Sequence, residues 1–170
     1  QTISEPGFRP PSEHAASFLD NAGAMQIAVL PTIVRRVERT AHSFVSQQQI
    51  VDFLNASGIC AARANSLRID LGPLRRRSQW EIFQFGTLSI AEKLKGREPD
   101  TDYIIVMEIL VPVDQSVFGI ELYIMDQQGR SAFSFLLNSH HELFADAKLA
   151  AKNSSEEARE TLIENATRVG

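Results

Sequence analysis

His140, His141, Glu142 and Asp146 are the one grouping in the sequence with the composition of a metal site. Their spacing works against it. On a strand, adjacent histidines point to opposite faces. On a helix, the residue one turn after His141 is Ala145, which cannot ligate, and only Glu142 and Asp146 share a face. An exposed polar turn is the plainer reading, and no metal or other cofactor is expected. Arg75, Arg76 and Arg77 form the only basic run. Placed before a helix N-terminus, three guanidinium groups suit a phosphate; a solvated loop is the plainer reading. Cys60 lies in apolar sequence with no base beside it, as an inert core thiol would. Glu108 and Glu121 fall on neighbouring strand-like segments. Paired carboxylates do acid–base work when they meet, but the register that decides this is not in the sequence. A salt-bridged sheet face is the alternative. No G-x-S-x-G, P-loop or G-x-G-x-x-G pattern occurs.

Composition narrows the function classes. The net charge of −4 gives nucleic acid and anionic membranes no bulk attraction. One cysteine excludes an internal disulfide and any multi-cysteine metal site. No apolar run approaches the ~20 residues that span a bilayer. With 44% apolar and 22% charged residues the chain has an ordinary globular composition, and 170 residues suit one domain. The sequence opens at Gln1 without an initiator methionine, which fits either a cleaved signal peptide or a cut made upstream.

The elements that must position these residues centre on 102–139. Tyr103 to Val111 is apolar on both faces except at Glu108, as an inner strand covered on both sides would be. Phe118, Ile120, Leu122 and Ile124 alternate with other residues, as do Phe133, Phe135 and Leu137, the period of two strands that each turn one face to a core. Asp126 to Gly129 joins them as a turn. Upstream, Met25 to Leu30 reads as a strand closed by Pro31, and Arg35 to His42 as a charged loop or ragged strand. Ser46 with Gln49, Ser78 with Glu81 and Ser154 with Glu157 fit capping boxes at three helix starts. The second of these helices runs to about Lys95, with Trp80, Phe83, Ile90 and Leu94 on its core face, widened by Ile82 and Phe85. Ile59 to Leu71 is a further strand with a bulge near Asn65. The expectation is an α+β domain over 24–170 in the order β-α-β-α-β-β-β-α. It has a single mixed sheet of about five strands, with helices packed on it. Residues 1–23 form a proline-bearing arm and short helix.

Three pieces carry a family resemblance. Gln26 to Pro31, Asp100 to Val106 and Tyr123 to Gly129 resemble the opening strand, the strand after the second helix and the later hairpin of one small α+β domain. That domain is shared by the curli secretion-channel subunit, the outer-membrane lipoprotein activators of penicillin-binding proteins and the N-terminal domain of the Tol-system translocation protein. The family often carries glycine where this chain has Glu108. The resemblance implies a non-catalytic protein-binding or assembly domain of the bacterial cell envelope, periplasmic or secreted. A small-molecule enzyme of unidentified type and a cytoplasmic location stay open as alternatives. A protein partner would meet the charged loop at Arg35, Arg36 and Arg39, the basic run Arg75, Arg76 and Arg77, or the N-terminal arm.

Overall fold

Tyr103–Val111, β5, is buried from Ile104 onward, the consequence of a strand apolar on both faces and covered on both. The structure is a computed structural model that describes residues 24–74, 79–111 and 119–138. Expectations for the 1–23 arm, Arg75 to Ser78, the link at 112–116, His140 to Lys152 and the final helix fall outside those residues. Gly119–Asp126, β6, pairs antiparallel with β5 from Tyr103↔Asp126 to Leu110↔Gly119. Ser131–Asn138, β7, pairs antiparallel with β6. Between them Gly129 takes a φ of 77°, and Asp126 Oδ1 accepts the N–H groups of Gln128 and Arg130.

The other edge of β5 takes two parallel partners in succession, Gln26–Val29 (β1) and Thr32–Arg36 (β2). The first strand thus ends before Pro31, as expected, and a second begins directly after it. Val29 lies beside Ile105 and Ile33 beside Glu108, so four steps on one chain match three on the other. The extra residue at Leu30–Pro31 is a bulge, the position in a ladder where proline is tolerated. Of the two readings of Arg35 to His42, charged loop or ragged strand, the strand holds: the segment forms most of a hairpin between β2 and Thr40–Ser43, β3. Ala61–Ala64, β4, adds to the outer side of β1. The sheet is mixed and five ranks wide: β7, β6, β5, then β1 with β2, then β4 with β3. This is the α+β class expected.

Two helices flank the sheet among the described residues. Phe44–Ser57, α1, is capped by Ser43, whose hydroxyl accepts the Ser46 N–H, and Gly58 closes it at φ 69°. The expected capping box lies one helical turn too far along: Ser46 is the recipient of the cap. Strand β4 is also shorter than the expected Ile59 to Leu71, and the chain from Asn65 to Leu74 crosses the sheet without regular structure. Gln79–Leu94, α2, buries Ile82, Ile90 and Leu94. On that face of the sheet Ile90 and Leu94 join Leu30, Ile33, Ile104, Val106, Tyr123 and Met125. On the other face Val51 of α1 packs with Ile27, Val29, Cys60, Ile105 and Ile124. Trp80 and Phe85, expected on the core side of α2, are 59% and 53% exposed.

Candidate functional site

Glu108 on β5 and Glu121 on β6 are directly opposed in the antiparallel register, and both are fully buried. Period two places their side chains on the α2 face, with Val106 and Tyr123. Arg35 reaches the same face from β2. Its Nη1 donates to Glu108 Oε2 at 3.2 Å, while Nε and Nη2 donate to the carbonyls of Gly72 and Leu71 at 2.9 and 3.3 Å. The Asn65–Leu74 segment is held over β2 and β3 by Arg35, by a Thr40 hydroxyl to Asp70 hydrogen bond and by His42 against the Ile69 carbonyl. Tyr123 Oη donates to Glu121 Oε2 at 2.8 Å.

One arginine thus faces two buried carboxyls. Burial pushes the Glu121 carboxyl up to about 8, the neighbouring Glu108 charge adding to it. Burial also raises Glu108, against the pull of Arg35. The phenol of Tyr123 is raised by burial and by both carboxylates, so it stays a hydrogen-bond donor. Oε1 of Glu108 and Oε1 of Glu121 have no partner when both groups are ionised. A proton held between the two carboxyls would supply one. The pair noted in the sequence is real, and the missing observation was the register. Arg35 was missed as its partner because it reads as one of several loop charges.

The other sequence candidates divide differently. Arg35 is buried and so is not part of an exposed binding loop. Arg36 is half-buried, with its backbone tied to Arg39 and Leu74. Glu38 and Arg39 are exposed in the β2–β3 turn. Arg75, Arg76, Arg77, His140, His141, Glu142 and Asp146 lie outside the described residues. Among the described residues no cluster of His, Cys, Asp and Glu could hold a metal. Burial raises the Cys60 thiol, so little of it is thiolate at neutral pH. An open groove between the end of α2 and the β6–β7 turn is lined by Leu94, Lys95, Glu98, Ile104 and Gln127, and it touches neither Glu108 nor Glu121. The carboxyl pair has the chemistry of an acid–base site, and both groups are buried.

No family model and no curated protein matches the chain. Seven solved chains are similar to it, two of them as follows. The LpoB C-terminal domain from Salmonella enterica is 10% identical, with a TM-score of 0.41, over 72% of this chain and 90% of that one. The LpoB C-terminal domain from Escherichia coli is also 10% identical, with a TM-score of 0.38, over 72% and 89%.

The outward side of α2 is the second feature of note. Trp80, Phe85 and Leu88 are 59%, 53% and 60% exposed. Helical spacing puts them in one arc with Glu81, Gln84 and Glu92, opposite Ile82, Gly86 and Ile90. Surface helices ordinarily carry one apolar stripe; α2 carries two.

Proposed function

We propose that this chain is a non-catalytic protein-binding domain whose contact surface is the outer face of α2. The observation that carries the reading is the exposure of Trp80, Phe85 and Leu88 on a helix whose opposite face is already buried in the core. Exposed apolar groups rimmed by polar ones favour a protein partner, and tryptophan and phenylalanine are enriched at such contacts. The burial of Glu108 and Glu121 away from the groove speaks against the enzyme alternative. The bacterial envelope as the place of action is implied by the family resemblance of the three strand segments alone. Glu38 and Arg39 are proposed as accessory charged contacts.

The test is a photo-crosslinking residue placed at position 84 or 85, used in an envelope fraction. Discrete protein adducts are expected at both positions and should disappear in a Trp80→Ser, Leu88→Ser variant of unchanged circular dichroism. No adducts at either position, or adducts that survive the double substitution, would refute the reading.

A further inference from the structure

The Glu108–Glu121 pair is joined to α2 by an unbroken series of contacts. Glu121 Oε2 accepts from Tyr123 Oη at 2.8 Å. The Tyr123 ring stacks on Phe83 with centroids 6.0 Å apart, and Phe83 meets Trp80 at 6.1 Å. Gly86 sits so close to the phenol that a Cβ there would lie 2.1 Å from Tyr123 Oη. The helix therefore rests on the side chain that hydrogen-bonds Glu121.

The charges around the pair do not balance when both carboxyls are ionised. From β2 the pair meets Arg35 alone, and its remaining guanidinium bonds go to the Leu71 and Gly72 carbonyls. From β7 the positions opposite Glu121 and Tyr123 are Leu136 and Ser134. From β3 the position beside Arg35 is Thr40, and His42 beside Ile33 is engaged with the Ile69 carbonyl. The inward residues of α2 are Ile82, Phe83, Gly86 and Ile90, none titratable. In the crossing segment, Asp70 is exposed and turned to Thr40 and Gly72. Among the described residues, two carboxylates thus face one cation, in a site where an unpaired charge is costly. Each of these two carboxyls also has a buried Oε1 without a hydrogen-bond partner.

We propose that Glu108 and Glu121 share one proton at neutral pH and that its release to solvent, transmitted through Tyr123, loosens α2 from the sheet, making the domain a pH-sensitive switch. With the proton present the pair is a singly charged unit neutralised by Arg35. Without it, a second carboxylate repels the first across the strand pair and draws in water, which disturbs the Tyr123 bond to Glu121 and the helix seated on that ring. The proposal stands apart from the binding reading, because its readouts need no partner.

The test uses the wild-type chain first. Carbon-detected NMR of the glutamate carboxyls should show one group titrating near 8. Amide exchange, corrected for its intrinsic base catalysis, should show α2 opening before β5. Protection in α2 should fall by about tenfold per pH unit up to that titration and level off above it. Emission from Trp80, the only tryptophan, should change over the same interval. In Tyr123→Phe the carboxyl should still titrate high while α2 opening no longer follows it. Glu121→Gln, which keeps a donor without a titration, should remove the transition. The proposal is overturned if both buried carboxyls titrate in the ordinary range. It is also overturned if wild-type α2 protection is flat through the high titration, or if Tyr123→Phe opens with pH as the wild type does. The wild-type and Tyr123→Phe results decide the matter even if Glu121→Gln does not fold.

Discussion

Gly86 stands in the middle of a helix, where glycine costs about 1 kcal/mol relative to alanine. The structure supplies the compensation: Tyr123 Oη occupies the space a Cβ would need. Gly86→Ala should therefore fail to stabilise the domain and should cost up to about 2 kcal/mol in urea, the ~1 kcal/mol gain in helix propensity being at most equal to the ~1–3 kcal/mol of overpacking. A stabilised variant would show that α2 does not rest on Tyr123. The Glu121 carboxyl sets a second expectation. Its folded value of about 8 lies above the ordinary 4.5, so between these values unfolding releases a proton. The native state then binds more protons than the unfolded one, and stability falls as pH rises. The contribution is complete below about 4.5 and lost by about 8. Within that window its slope is ~1.4 kcal/mol per pH unit. Urea midpoints of wild type and Glu121→Gln across pH 5–9 should diverge in that sense, and parallel curves would refute it. Both glutamates were visible in the sequence as strand residues on neighbouring segments. Their opposition was not, because a shift of one residue in register would have turned one of them to the other face.

At the scale of elements, β4 shows how a short edge strand is protected. Ala61 N–H and Asn65 N–H bond to the β1 carbonyls of Met25 and Val29. In a parallel ladder the intervening Ala62 then turns its own N–H and C=O away from β1. Asn55 of α1 takes both, donating to Ala62 O at 2.9 Å and accepting from Ala62 N at 2.8 Å. A side-chain amide thus stands in for a neighbouring peptide. Gln47, buried on the same helix, bridges the Val29 and Asn65 carbonyls at the far end. Removing the Asn55 cap should open the edge to strand addition. Asn55→Ala is expected to cost only about 1 kcal/mol but to raise self-association relative to wild type in sedimentation velocity at high concentration. Unchanged sedimentation would mean the edge is protected by something else. The strands of strong periodicity, β5 to β7, were legible in the sequence, as was the span of α2. The β2–β3 hairpin was hidden because Arg35 is charged and yet buried: its charge is satisfied by Glu108 and two carbonyls that lie far away in sequence. Trp80 and Phe85 misled for the converse reason, since apolar character alone does not say which side of a helix meets the sheet.

For the molecule as a whole, the sheet divides the interior into two layers of side chains with little shared membership. Ile90 of α2 packs with Leu30, Ile33, Val106 and Tyr123, whereas Val51 of α1 packs with Ile27, Val29, Cys60 and Ile105. What joins the layers is the backbone of β1 and β5, whose successive residues point alternately into each. This arrangement makes a definite thermodynamic statement. Ile90→Ala should cost about 2–4 kcal/mol through the cavity it leaves under α2, and Val51→Ala somewhat less. With no contact shared between the two sites, the double variant should lose the sum to within ~0.5 kcal/mol. Unfolding should nonetheless remain one transition, because both layers are built on β5, which pairs with β1, β2 and β6. Urea curves followed by far-ultraviolet circular dichroism and by Trp80 emission should therefore coincide in all four proteins, the three variants and the wild type. An interaction energy well above that bound would mean that the sheet transmits strain between its faces. Separated curves would mean that α2 and its layer open as a unit ahead of the rest, in which case stability would have to be assigned to each layer by itself.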